Sequence, residues 1–232
     1  MKQAMIFAAG LGTRLRPLTD RMPKALVTVN GQPLLWHVVM KLKAAGYERI
    51  VVNVHHFAQQ IVDYLAENHN FGIDIRISDE TNGLLETGGG IKKARPLFDS
   101  HSPVLIHNVD ILSNLALDEL TGHQCMLVVS ERKTKRYLQF DDRKHLVGWK
   151  NIETGEVRGR EGTSLAFSGI HVITPELLAL MDEWPERFPI MDFYLKACSQ
   201  HDIYGHVASN LKLMDVGKLD TLDAANDFIK QL

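Results

Sequence analysis

Phe7-Ala8-Ala9-Gly10-Leu11-Gly12-Thr13-Arg14-Leu15-Arg16-Pro17-Leu18-Thr19-Asp20-Arg21-Met22-Pro23-Lys24 continues a short apolar run, Ala4-Met5-Ile6-Phe7-Ala8. The run reads as a buried strand. A strand, a glycine-rich loop and then basic residues is a layout for handling phosphate. Gly10 and Gly12 let the backbone approach an anion and turn N–H groups toward it. Arg14 and Arg16 add forked donors suited to phosphate oxygens. Lys24 adds a compact positive charge beyond the turn at Pro23. Apart from Thr19 and Asp20, every polar group in the stretch is a donor or a cation, which suits a polyphosphate.

The loop is not a P-loop, because the chain has no Gly-x-x-x-x-Gly-Lys-Ser/Thr run. It matches a dinucleotide fingerprint only at Gly10 and Gly12, since the third small residue of Gly-x-Gly-x-x-Gly/Ala is replaced by Leu15. An NAD-dependent oxidoreductase, the rival enzyme class, needs that residue and an acidic end to its second strand. The longer pattern Ala-Ala-Gly-x-Gly-x-Arg-x-x-Pro-x-Thr-x-x-x-Pro-Lys is more specific. It resembles the nucleoside-triphosphate loop of the sugar-1-phosphate nucleotidyltransferases.

Composition narrows the remaining classes. The 232 residues, 45% hydrophobic and 23% charged, are ordinary for a soluble globular chain. A net charge of −2 gives no basic footprint for nucleic acid. No apolar run reaches membrane-span length, and the N-terminus lacks the pattern of a signal peptide. Cys125 and Cys198 lack metal-ligand spacing and read as reduced core thiols. The expectation is a cytoplasmic protein that binds neither nucleic acid nor membrane.

Strand-like and helical runs alternate outward from the loop. Leu34 to Leu42 reads as a helix closing near Gly46, and Arg49–Val54 as a buried strand. Phe57 to Ala66 reads as a helix, Ile73–Ile77 as a half-exposed strand and Gly89 to Ala94 as a helix after a glycine turn. Val104–His107 and Met126–Val129 read as buried strands. This order predicts an α/β fold with a doubly wound, mostly parallel sheet, whose ligands bind beyond the carboxyl ends of the strands. After Ser130 the texture shifts to Tyr137–Phe140, Leu146–Lys150 and Ser164–Val172. These predict a small antiparallel subsheet that extends the sheet or covers the site. Helices at Pro175–Met181 and Met191–Cys198, a strand at Ile203–Val207 and a helix from Leu219 to Leu232 complete the chain. No linker interrupts residues 1–232, so one domain is expected.

Asn82-Gly83-Leu84-Leu85-Glu86-Thr87-Gly88-Gly89-Gly90 is the second notable run. Three successive glycines disfavour a helix and point to a strained turn or the close approach of a ligand. Asp110 ends a buried strand in His107-Asn108-Val109-Asp110, and Asp215 lies in Leu213-Met214-Asp215-Val216-Gly217. Two carboxylates brought together by the fold suit magnesium, which takes few protein oxygens and the rest from phosphates and water. His55 and His56 are adjacent, point in different directions and read as structural or substrate-contacting rather than as ligands.

The resemblance spans Met1 to Leu232 and carries specific roles. It implies a Rossmann-like, GT-A-type fold and transfer of a nucleotidyl group from a nucleoside triphosphate to a sugar 1-phosphate, with Mg2+ on Asp110 and Asp215. It assigns Lys24 and Arg14 to catalysis. The nucleotide falls to Ala8, Ala9, Gly10, Leu11, Gly12, Thr13, Arg14, Lys24, Glu80, Glu86, Thr87, Gly88 and Asn108, with Glu80 near the position that reads the base edge. It gives the sugar phosphate to Lys150 and Gly169. Lys150 is a loose match, since Trp149 and Asn151 replace the family's Glu and Pro, and Val109 replaces the usual glycine before the first aspartate. Within the family, Leu85 to Ile91 and Phe167 to Ile170 look most like N-acetylmuramate-1-phosphate uridylyltransferases, so UTP is the expected triphosphate. Mannose- and heptose-1-phosphate guanylyltransferases, which use GTP, share most of these features. A nucleotide-sensing or assembly subunit of the same fold is the non-enzyme alternative, and it should have lost the charge-handling residues kept here. Oligomeric state is not readable from the sequence.

Overall fold

The computed structural model describes residues 1–120, 122 and 124–232. Four parallel strands form its centre: β1 (Gln3–Phe7), β2 (Arg49–Val54), β3 (Asp74–Asp79) and β4 (Val104–Asn108), in the order β3-β2-β1-β4. Each is a short run rich in β-branched or other apolar residues. In β1, Ala4 and Ile6 face one core while Met5 faces the other. The period of two lets one strand serve two cores.

Helices cover both faces, as a doubly wound sheet requires. On one side lie α1 (Leu34–Ala44), α2 (Ala58–Glu67) and α6 (Leu222–Ile229), which bury Leu34, Leu35, Val38, Leu42, Ile61, Leu65 and Ala225. On the other lie α3 (Glu86–Ala94), α4 (Pro175–Leu180) and α5 (Ile190–Ala197), with Ile91, Leu177, Phe193 and Tyr194 inside. Thr174 caps α4 by accepting the Leu177 N–H, and Pro175 fills its first position.

A short strand β5 (Ile111–Ser113) follows β4. Then come β6 (Cys125–Ser130), β7 (Arg136–Phe140), β8 (Leu146–Asn151), β9 (Val157–Gly159), β10 (Thr163–Ile173), β11 (Ile203–Val207) and β12 (Leu213–Asp215). These later strands continue the same sheet, except β5 and β12, which pair with each other as a separate antiparallel ribbon. The long β10 pairs antiparallel with β4, β6 and β7, so it joins the parallel centre to the β7-β8-β9 meander. Its register breaks between Phe167 and His171, where Gly169 takes φ +79°. The subsheet thus extends the sheet rather than standing apart. The expected strand at Met126–Val129 is β6, parallel to β11 but antiparallel to β10.

The glycine run departs from its sequence reading. Gly88, Gly89 and Gly90 lie inside α3, which starts at Glu86, and all three are buried. A Cβ at Gly88 would stand 2.2 Å from the Phe188 ring, one at Gly89 2.1 Å from the Glu186 carbonyl oxygen, and one at Gly90 2.8 Å from Glu80 Oε1. The glycines are therefore needed for close packing, and what approaches them is the chain itself. Packing outweighs the helix penalty of glycine, about 1 kcal/mol per residue. Among the described residues no helix is long and apolar enough to cross a membrane.

Candidate active site

The carboxyl ends of β1, β2 and β4 lie in register, with Phe7 opposite Asn53 on one side and Asn108 on the other. A cavity of about 260 Å³ opens there. It is lined by Phe7, Ala8, Ala9 and Gly10 of the loop, by Lys24, and by Asn53 and Glu80 at the ends of β2 and β3. Leu84, Glu86 and Thr87 form one wall, and Asn108, Val109 and Asp110 another. A larger cavity of about 570 Å³, beside His37, Lys41, Ser113 and Asp118, shares no lining residue with it and holds none of the residues singled out in the sequence. Residues singled out in the sequence, among them Lys24, Glu80, Asn108 and Asp110, line the smaller cavity.

The loop is built by its motif residues. Leu15 is fully buried and anchors its far end. Gly12 takes φ +62°, and a Cβ there would stand 2.9 Å from Thr19 Cγ2 and 3.1 Å from Lys24 Cβ. Only glycine lets the lysine segment lie this close. Thr19 Oγ1 donates to the Gly12 carbonyl at 2.8 Å and pins the loop. A Cβ on Gly10 would meet nothing within 4 Å, so this glycine faces open space. The Ala8 and Ala9 N–H groups are taken by Asn53 Oδ1, at 2.7 and 3.2 Å. An anion in the loop therefore meets N–H groups from Gly10 onward.

The two aspartates arrive by different routes. Asp110 follows β4, and Asp215 ends β12, which pairs antiparallel with β5. The Val216 N–H donates to the Asp110 carbonyl at 2.8 Å and locks the two segments together. Burial, then the Asp110 charge, raises the Asp215 carboxyl above its ordinary range, while Lys24, Arg14 and Arg132 pull it down. Lys24 Nζ donates to Asp110 Oδ2, with both side chains mostly buried. A Cβ on Gly217 would crowd both Asp215 Oδ1 and Arg14 Nη2, at 2.6 and 2.8 Å. Lys24, Arg14, Asp110 and Asp215 thus converge, although the chain separates the first from the last by most of its length.

Other singled-out residues lie differently. Gly88 and Gly89 donate their N–H groups to the Phe188 carbonyl, at 2.8 and 3.2 Å, which leaves neither facing the cavity. Thr87 Oγ1 accepts the Ile190 N–H at 2.9 Å, and Glu86 Oε1 accepts from Arg187 Nε at 3.2 Å. Gly169 makes room for Asn108, whose Nδ2 would stand 2.7 Å from a Cβ there. Lys150 lies on β8 outside the cavity, donating to Glu161 Oε1 at 2.8 Å. Leu11 and Thr13 sit in the loop beyond the cavity wall. His55 and His56 follow β2, also outside it, and the His56 ring packs on Phe57. Val109 is buried at the cavity edge, where its side chain joins the core. Sequence reading missed Asn53, whose place opposite Phe7 becomes visible only once the strands are paired.

A glycine loop, a buried lysine and paired carboxylates at the carboxyl edge of a parallel sheet define a nucleotide-handling α/β enzyme. A family model described as nucleotidyl transferase matches residues 3–125. The N-acetylmuramate alpha-1-phosphate uridylyltransferase of Caulobacter vibrioides is 36% identical over 77% of this chain and 77% of its own. The enzyme of the same name from Neisseria meningitidis is 37% identical over 75% of this chain and 76% of its own. The inositol-1-phosphate CTP transferase of T. maritima shares the fold, with a TM-score of 0.81 at 17% identity, over 100% of this chain and 96% of its own. The chain belongs to the nucleotidyl transferase family, and it is a sugar-1-phosphate nucleotidyltransferase.

The family generally uses a divalent metal. Among the described residues no group of three or more His, Cys, Asp or Glu is placed to hold one. The Asp110–Asp215 pair fits an ion that draws most of its oxygens from phosphates and water, as magnesium does. Burial, and after it the Asp110 charge, raises the Asp215 carboxyl, and a bound cation would offset both.

Proposed function

We propose that this enzyme transfers uridylyl from UTP to N-acetylmuramate 1-phosphate, or to a closely related N-acetylated hexose 1-phosphate, releasing pyrophosphate. The observation that carries the reading is the convergence of Arg14 and Asp215 on Lys24 and Asp110, two residues that line a cavity beside the glycine loop. The relatives at 36% and 37% identity, named as uridylyltransferases of that sugar phosphate, supply the choice of base and sugar.

In this reading an oxygen of the sugar phosphate attacks the α-phosphorus in line and pyrophosphate leaves. No side chain becomes a covalent nucleophile, so catalysis is positioning and charge neutralisation. Arg14 and the N–H groups from Gly10 to Thr13 hold the leaving pyrophosphate. Lys24 leaves Asp110 to meet the charge that builds on the phosphates. Asp110 and Asp215 would hold Mg2+, which would supply charge neutralisation for the reacting phosphates. The base lies against Leu84, Glu86 and Thr87, above Glu80. This reading gives the sugar phosphate to Lys150, once it leaves Glu161, and to the bulge at Gly169. The free thiols of Cys125 and Cys198 suit a reducing cytoplasm.

Pyrophosphate release from four triphosphates, each paired with several sugar 1-phosphates, tests the proposal. UTP with N-acetylmuramate 1-phosphate should give the highest kcat/KM. A clear lead for GTP with mannose or heptose 1-phosphate would assign the enzyme to the guanylyltransferases instead.

A further inference from the structure

Asn53 joins three parts of the cavity. It is 3% exposed and stands opposite Phe7 of β1 on one side and Ser78 of β3 on the other. Its Oδ1 accepts from Ala8 N and Ala9 N at 2.7 and 3.2 Å. Its Nδ2 donates to Glu80 Oε1 at 2.7 Å. The second Glu80 oxygen accepts the Leu85 N–H at 3.2 Å, one residue before α3. Glu80 is fully buried, and the missing side chain of Gly90 leaves space for its carboxylate. Two loop N–H donors demand an acceptor, which fixes the amide: oxygen toward the loop, nitrogen toward the carboxylate.

We infer that Asn53 and Glu80 form a positioning pair for the triphosphate loop, with Glu80 acting on the nucleotide through Asn53 and not by meeting the base edge. Asn53 draws the Ala8 and Ala9 N–H groups inward, so the chain leaves β1 with the next N–H groups turned out toward the phosphates. Glu80 holds the amide in the one orientation that can do this, and through Leu85 it ties the loop to the start of α3. The inference rests on the reading that this cavity takes the triphosphate.

The test exchanges donor and acceptor. In the full-length protein, Asn53→Asp sets a carboxylate against the buried Glu80 carboxylate, which burial makes costly. Glu80→Gln alone keeps an acceptor for Asn53 but turns an NH2 toward the Leu85 N–H. In the double variant Asn53→Asp/Glu80→Gln every bond returns and only the one between positions 53 and 80 reverses its polarity: one aspartate oxygen accepts the two loop N–H groups, the other accepts from the glutamine NH2, and the glutamine oxygen accepts from Leu85. kcat/KM for UTP and for GTP with one sugar 1-phosphate should fall about 100-fold in Asn53→Asp, the order expected for a misplaced reactant. It should recover to within about tenfold of wild type in the double variant, a coupling that a double-mutant cycle reads directly. The UTP-to-GTP ratio should hold throughout.

A double variant whose urea midpoint recovers while kcat/KM does not overturns the inference. So does a Glu80→Gln variant whose UTP-to-GTP ratio shifts more than about tenfold, since that marks direct reading of the base. Should Asn53→Asp fail to fold, a folded and active double variant is the rescue, and failure of both to fold overturns the pair. A wild-type chain that transfers no nucleotide at all would count against the proposed function, and the urea midpoints would still report on the pair.

Discussion

Replacing Gly89 by alanine pits helix propensity against packing. In an exposed helix the change is worth about 1 kcal/mol in favour of alanine. Here the new Cβ would stand 2.1 Å from the Glu186 carbonyl oxygen and 3.1 Å from Leu85 Cβ. The obstacle is backbone, which has no rotamer to escape into, so the segment from Glu186 to Phe188 must retreat. Retreat stretches the two bonds from Gly88 and Gly89 N–H to the Phe188 carbonyl, each worth about 1 kcal/mol. Overpacking adds about 1–3 kcal/mol. The net is a loss of about 2–4 kcal/mol, or about 5–15 °C in melting temperature for a chain of this size. Thermal and urea melts of Gly89→Ala against wild type measure it. Gly83→Ala, whose Cβ would meet nothing within 4 Å, is the control and should melt with wild type. A Gly89→Ala protein that melts at or above wild type would refute the packing account of the triple glycine.

The other expectations concern charge. Lys24→Ala should cut turnover about 100–1,000-fold, as the loss of one preorganised donor does, with the melt still cooperative; near-normal turnover would remove Lys24 from the mechanism. Chelation should abolish activity, and Asp110→Asn or Asp215→Asn should each raise the magnesium concentration needed for half-maximal rate; activity that survives chelation contradicts the two-aspartate site. His171 is fully buried, its Nδ1 2.6 Å from the Tyr194 hydroxyl, and burial lowers its pKa to about 3 from 6.5. The unfolded chain therefore binds a proton between pH 6.5 and about 3 that the folded chain refuses. This contribution to stability is intact above pH 6.5 and is lost as pH falls through that window, by up to about 1.4 kcal/mol per pH unit. His107, lowered by burial to about 4, acts in the same direction. Urea unfolding from pH 7 to 4 should show a shallower fall in His171→Leu, and an unchanged slope would refute this.

Much of the fold was legible because apolar periodicity and loop chemistry are local. Strand β1, helix α1 and strand β2 were read within a residue or two, since each has a short apolar pattern with clear ends at Gly10, Pro33, Gly46 and Val54. The glycine loop and Lys24 were legible for the same reason. What escaped was set by distant partners. Nothing near Gly88 in sequence announces Phe188, yet their contact turns an expected turn into a helix. Asp110 and Asp215 were paired by resemblance, and it is the β5–β12 ribbon that brings them together. Asn53 looked like one polar residue in an apolar strand, and its role emerges from the register that sets it beside Phe7 and within reach of Glu80.

The most direct measurement supplies UTP, GTP, CTP and dTTP together, at equal concentration, with N-acetylmuramate 1-phosphate, magnesium and the purified chain. The nucleotide sugars formed are then counted by mass spectrometry. Because a site built around particular hydrogen bonds leaves polar groups unpaired with the wrong base, the uridine product should lead the guanosine and cytidine products by about 100-fold or more. A guanosine sugar as the main product, or no sugar nucleotide while all four triphosphates stay intact, would contradict the assignment.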